Sequence, residues 1–105
     1  MRVRMTQKFK KWLENLGDSK AKALIARRIH AIEQDHPTEG DIKSLGNGLQ
    51  EMRFYIGPGY RIYFITVQDT LLLLLMGGNK SSQRRDIAKA RKLSAKWKGV
   101  VANEG

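Results

Sequence analysis

Two arginines and two tyrosines alternate within a short stretch of the chain: Arg53 and Tyr55 precede the segment Gly57-Pro58-Gly59, and Arg61 and Tyr63 follow it. If residues 57–59 form a three-residue hairpin loop, Ile56 lies opposite Tyr60 and side chains alternate between faces outward from that pair. Arg53, Tyr55, Arg61 and Tyr63 then share one face, and Phe54, Ile56, Tyr60, Ile62 and Phe64 share the other. A guanidinium presents a rigid fork of N–H donors that fits phosphate oxygens two at a time. A phenol ring gives a surface on which a base splayed out of a strand can stack. Together the four have the chemistry of a platform for single-stranded RNA. The same alternation is also what a half-solvated antiparallel sheet displays, with Arg stems and Tyr rings covering strand surface, so pattern alone leaves both readings open.

A second candidate is Gly77-Gly78-Asn79-Lys80-Ser81-Ser82, which runs from an apolar stretch into the start of a helix. Free backbone N–H groups and the helix dipole favour an anion there, Lys80 adds a mobile charge, and the glycines permit close approach. The spacing is not that of a P-loop, and a glycine-rich strand exit capped by Ser explains the same residues equally well. Beyond it, Arg84, Arg85, Lys89, Arg91, Lys92, Lys96 and Lys98 go nearly all the way round the helix. Most of such a run is solvated face, but its density admits a nucleic-acid or acidic partner. His30 and His36 have no ligand-spaced companions, and there is no cysteine, so no metal site is expected.

These residues need elements to hold them. Phe9, Trp12, Leu13 and Leu16 form one stripe of a helix beginning near Thr6. Asp18 or Ser19 caps a second helix, whose apolar positions Ala21, Leu24, Ile25, Ile29 and Ile32 repeat at helical spacing to about Gln34. His36-Pro37-Thr38-Glu39-Gly40 reads as a loop. Strands are expected over 41–45, 49–56, 60–67 and 71–76, the last apolar enough to be buried on both faces. A third helix carries Ile87, Ala90, Ser94 and Trp97 on its inner stripe, and residues 99–105 have nothing to bury and are expected to fray. The expected fold is a single α+β domain over residues 1–105, in which two N-terminal helices pack on a mainly antiparallel sheet. That sheet is a three-stranded meander with a short flanking strand, followed by a C-terminal helix.

At 105 residues the chain has room for one modest core, and its 20 Lys plus Arg against 10 Asp plus Glu give a net charge of +10. Such an excess attracts phosphate polymers first among partners. The start of the chain has no apolar signal-peptide region, and residues 71–76 are far too few to span a bilayer. A cytoplasmic protein without membrane contact is expected.

The element order, with Phe9-x-x-Trp12-Leu13, Leu45-Gly46-x-Gly48-Leu49-x-Glu51-x-Arg53, Gly57-Pro58-Gly59-Tyr60-Arg61-Ile62-Tyr63-Phe64 and Gly77-Gly78-Asn79-Lys80-Ser81-Ser82-Gln83-x-x-Asp86-Ile87, resembles the RelE/ParE toxins. The resemblance spans residues 9–93 and is nearest the addiction module killer branch, with its HigB-like and phage-derived relatives. It implies the toxin of a type II toxin–antitoxin pair. The antitoxin would be a helix-turn-helix DNA-binding protein or carry an acidic disordered segment, and the complex would bind operator DNA.

Many such toxins cleave mRNA on the ribosome as mRNA interferases, without a cofactor. The ParE branch inhibits DNA gyrase instead, and an inactive homologue would act only through antitoxin and operator binding. On the nuclease reading the resemblance places Arg53, Arg61 and Lys80 in catalysis; the pattern of the residues themselves adds Tyr63 there, and Tyr55, Ser81, Ser82, Arg84 and Arg85 on RNA or phosphate. Two strand lysines of the RelE nucleases fall here at Leu49 and Glu51, and their tyrosine on the last helix falls near Ile87. Arginine stays protonated and is a poor base, so Tyr55, Tyr63, Lys80 or ribosomal RNA would have to move protons.

Overall fold

A computed structural model describes residues 1–35 and 41–104, with side chains through Val100. Its elements are β1 (Arg2–Met5), α1 (Gln7–Glu14), α2 (Ser19–Glu33), β2 (Asp41–Gly46), β3 (Leu49–Phe54), β4 (Tyr60–Val67), β5 (Leu71–Asn79), a 3-10 turn (Lys80–Ser82) and α3 (Gln83–Glu104). The expected loop at 36–40 lies outside the described residues. The two N-terminal helices start where their caps require: the Thr6 hydroxyl accepts from Phe9 N–H at 3.0 Å, and Asp18 accepts from Ala21 N–H at 3.0 Å. Thr6 also donates to the Leu75 carbonyl at 2.6 Å, so the cap of α1 is fastened to the middle of β5.

The five strands lie in the order β1-β5-β4-β3-β2. β2 to β5 are an antiparallel meander, and β1 adds to β5 in parallel, with Val3 beside Leu72 and Met5 beside Leu74. In the sequence, β1 reads only as a basic lead-in to the first helix. Its alternation of exposed Arg2 and Arg4 with half-buried Val3 and Met5 is a strand signal, but four residues at a terminus are too few for periodicity to stand out. Arginines on an edge strand also discourage edge-to-edge pairing with other chains.

Alternation along the strands divides the core in two. Met52, Phe54, Tyr60, Ile62, Phe64, Leu72 and Leu74 pack against Phe9 and the inner stripe of α2. Leu49, Tyr63, Ile65, Leu73, Leu75 and Met76 pack against Ala90, with Ile87, Leu93 and Trp97 of α3 alongside. Burying each large apolar side chain contributes about 1.5–3 kcal/mol, so both helical layers are held mainly by this exclusion of water. The third helix therefore covers the second face of the sheet. It spans Gln83–Glu104.

Two irregularities aim the strands. Gly57 and Gly59 adopt φ of 57° and 77°, and the connection between β3 and β4 occupies residues 55–59, closed by Gly59 N–H on the Ile56 carbonyl at 3.1 Å. Phe54, not Ile56, is thus the partner of Tyr60. On β5 the pairing shifts between Tyr63–Met76 and Phe64–Leu74, a bulge that leaves Leu75 and Met76 both on the α3 side. The bulge reverses the phase of the glycines beyond it: Gly77 faces Trp12 of α1, and Gly78 faces Asp86 of α3.

At Gly77 a Cβ would stand 2.4 Å from two carbons of the Trp12 ring. Gly77→Ala is expected to destabilise the protein by about 1–3 kcal/mol through overpacking, read as a lower urea midpoint. In a Trp12→Leu background the same substitution should be nearly neutral; an equal loss in both backgrounds would show that the ring is not the obstacle.

Candidate functional site

The register across β2 to β5 aligns Asp41, Arg53, Arg61 and Gly78 in one row, and Lys43, Glu51, Tyr63 and Met76 in the next row on the same face. A three-residue loop would instead set Tyr55 opposite Arg61. A difference of two residues in register preserves the face of every side chain but changes who meets whom. Arg53 and Arg61 become direct cross-strand neighbours, Tyr55 moves into the connecting loop, and Glu51 takes a place beside the arginines.

Two like charges directly opposite each other on a sheet repel. Here the carboxylate of Glu51, completely buried, lies between them. Arg53 Nε donates to Glu51 Oε1 at 2.7 Å, Gln83 Nε2 from the first turn of α3 donates to Oε2 at 2.8 Å, and Arg61 Nε stands 3.9 Å from Oε2. Burial pushes the Glu51 carboxyl up, but the hydrogen bonds from Arg53 and Gln83 and the Arg53 charge outweigh it and hold the group below its ordinary 4.5. The bond to Glu51, followed by that to Tyr55, raises Arg53 in turn. The two guanidinium groups thus flank one buried carboxylate, and Arg53 is also paired with Asp41 at the rim.

Arg61 is 7 % exposed, and its Nη1 donates to the Gly59 carbonyl at 2.9 Å. Its Nε is enclosed and has no hydrogen-bond partner among the described residues. Arg53 is less enclosed, with its Nη1 3.7 Å from Asp41 Oδ2. A Cβ on Gly59 would stand 3.1 Å from Arg61 Nη1 and 3.5 Å from the Lys80 Cβ, so the loop brings the exposed Lys80 next to the arginines. Tyr55 is 75 % exposed and donates to the Asp41 carboxylate at the rim.

Two expectations are corrected by packing. Tyr63 is fully buried under α3, so its ring is not a stacking surface. Burial, with the adjacent Glu51 carboxylate, pushes the phenol well above its ordinary value. It is a weaker proton donor than a free tyrosine. The second correction concerns the helix start. Asn79 Oδ1 already accepts from the N–H groups of Ser81 and Ser82, at 3.0 and 3.2 Å, and the Ser82 hydroxyl donates to Asp86. Gly78 makes room for that carboxylate, because a Cβ there would stand 1.9 Å from Asp86 Oδ2. The turn is thus closed by its own side chains, with a buried carboxylate behind it, and does not offer those N–H groups to an anion.

Glu51, Gln83 and Asp86 stand in the motifs of the sequence but are given no role there, and the structure brings them into the site. Glu51 shares the parity of Arg53, which places it on the same face, but its neighbours are fixed only once the register is known. Arg84 and Arg85 are exposed on the first turn of α3. Among the described residues no group of three or more His, Cys, Asp or Glu side chains is placed to hold a metal ion, and no helix is long and apolar enough to cross a membrane.

Residues 11–95 match the family described as phage-derived protein Gp49-like (DUF891). A Haemophilus influenzae protein described as uncharacterised is 38% identical over 94 residues, covering 90% of this chain and 93% of its own. Among solved structures, a chain of the intact Escherichia coli RelBE toxin–antitoxin complex superposes with a TM-score of 0.54 at 11% identity, covering 74% of this chain and 94% of that one. A conserved hypothetical protein of Helicobacter pylori gives 0.48 at 19% identity, covering 77% and 96%.

Glu51→Gln keeps the shape and removes the charge between the arginines. Near neutral pH it is expected to lower stability by about 3 kcal/mol, the effect of leaving a buried charge uncompensated. A carboxyl depressed by folding stabilises above its ordinary 4.5 and loses that contribution as pH falls through the lower folded value. Urea titrations should therefore show the gap between wild type and variant closing in acid; a gap independent of pH would contradict the ionised carboxylate.

Proposed function

This chain belongs to the phage-derived Gp49-like family, a RelE/ParE-type toxin family, and from that premise we propose that it is the toxin of a type II toxin–antitoxin pair that cleaves mRNA on the ribosome. The observation that carries the reading is the pairing of Arg53 with Arg61 beside Lys80. In this cleavage the 2′-hydroxyl attacks the adjacent phosphate, negative charge builds on the phosphoryl oxygens, and the 5′-oxygen leaves with a proton. Fixed guanidinium groups in a partly enclosed site stabilise that charge without having to reorganise. Arg53 and Arg61 take this role, with Tyr55, Arg84 and Arg85 at the rim for the strand to either side. Lys80, exposed and adjacent, is the protein group able to give the leaving oxygen its proton.

Both oxygens of Glu51 are engaged and Tyr63 is enclosed, so neither accepts the proton of the 2′-hydroxyl from this arrangement. A base contributed by ribosomal RNA completes the reaction and accounts for ribosome dependence. The same shortage favours a second reading, a non-nucleolytic inhibitor of DNA gyrase using the same basic surface. On either reading the partner that silences the protein is an antitoxin. The net charge of +10 favours an acidic segment wrapping the toxin, and that complex would sit on operator DNA.

Induction of the chain alone in a bacterial host, with mRNA 5′ ends mapped by primer extension, tests the proposal. New cuts within reading frames are expected with wild type. They should vanish in Arg53→Ala/Arg61→Ala and fall at least about tenfold in Arg61→Lys, which keeps the charge and loses the fork. Growth arrest with intact mRNA and accumulation of cleaved DNA would select gyrase.

A further inference from the structure

The outer surface of α3 carries a row that, beyond Arg85 at its N-terminal end, the candidate site does not use. Between residues 83 and 100 the helix has seven Lys or Arg and one acid, Asp86, which is buried. Arg91 donates to the Leu45 carbonyl at 2.8 Å, and Lys98 donates to that of Asn47, so these two tether the helix to the turn between β2 and β3. Arg85, Lys89, Lys92 and Lys96 are spaced by four, three and four residues, which sets them in one line along the helix. All four are exposed, and none makes a hydrogen bond or ion pair with the described residues.

Self-repulsion along such a row lowers helix stability, and no acidic side chain among the described residues pairs with it. From Arg85 to Lys96 the row is about 16 Å long at about 1.5 Å per residue. A duplex presents roughly one phosphate per 3.4 Å of axis on each strand, so four cations face about as many phosphates as they can neutralise.

The chemistry of the row selects among polyanions. Protein interfaces are held mostly by desolvated anchors, Trp and Tyr prominent among them, seated in pockets at their centre, and among the described residues the one exposed large apolar side chain is Tyr55, which is not on α3. Single strands are held by stacking on aromatic rings, and the outward positions between the cations are Ala88, Ala95 and Gly99. A smooth, cationic, ring-free ridge fits the backbone of a double helix. We propose that Arg85, Lys89, Lys92 and Lys96 dock α3 against the phosphate backbone of double-helical RNA. The choice of RNA over DNA rests on the ribosome-dependent reading above; the docking surface itself is separate from Arg53 and Arg61.

The test is binding of the full chain to a perfectly paired RNA duplex longer than the row, followed by fluorescence anisotropy over a range of KCl concentrations. Neutralising the row as Arg85→Gln/Lys89→Gln/Lys92→Gln/Lys96→Gln should reduce the slope of log K against log salt by about 3 to 4, at roughly 0.9 per phosphate contact. A control with the same loss of charge on the helical hairpin, Lys8→Gln/Lys10→Gln/Lys11→Gln/Lys20→Gln, should change it by less than about 1. Equal changes in both variants, or none in the first, would overturn the proposal. Tighter binding of the matching DNA duplex would overturn the assignment to RNA, and tighter binding of single-stranded RNA or polyglutamate would overturn the duplex. Mapping of mRNA 5′ ends with the wild-type chain tests the cleavage reading without reference to the row, so failure of the cleavage site and failure of the docking row are read separately.

Discussion

One buried carboxylate organises this protein. Arg53 and Arg61 are forced into adjacency by the pairing of β3 with β4, and their repulsion is relieved by Glu51, which has no exposure to water. An isolated carboxylate in that position would be protonated; hydrogen bonds from Arg53 and Gln83 keep it charged. Because Gln83 lies in the first turn of α3, the same carboxylate joins the arginine pair to the C-terminal helix. Loss of α3 from the sheet would strip Glu51 of a donor and admit water, so the electrostatics of the site and the docking of the helix are one equilibrium.

Glycines and a bulge make this arrangement possible. The extra residue in β5 turns Gly78 toward α3, and the missing side chain there admits Asp86. At the hairpin, positive φ at Gly57 and Gly59 closes the loop so that the Gly59 carbonyl can hold Arg61 Nη1. The site is therefore set by backbone conformation as much as by side-chain identity, which is how a sheet of ordinary residues comes to hold two guanidinium groups in fixed positions.

Much of the fold was legible from the sequence because caps and periodicity are local signals. Thr6 and Asp18 mark their helices, and the apolar stripes of α1, α2 and α3 face the core as their spacing requires. The division of β3 and β4 into two faces was also legible, since parity survives an error of two in register. What parity cannot supply is partnership. The length of the hairpin loop, the bulge opposite Tyr63 and the parallel addition of β1 are decided by contacts far apart in the chain. They determined that Glu51, not Tyr55, sits with the arginines, and that Tyr63 is covered. The glycine-rich exit misled for a related reason: the side chain of Asn79 satisfies N–H groups that pattern alone leaves open.

The site depends on Glu51 being ionised between the two arginines, and an NMR titration of its side-chain carboxyl carbon observes that directly. The midpoint should fall below 4.5, with the Nε–H resonance of Arg53 moving in the same step as their hydrogen bond is lost. A midpoint above 4.5, or a Glu51 titration that leaves Arg53 unmoved, would mean that burial wins over the hydrogen bonds and that the arginine pair is held by something other than this carboxylate.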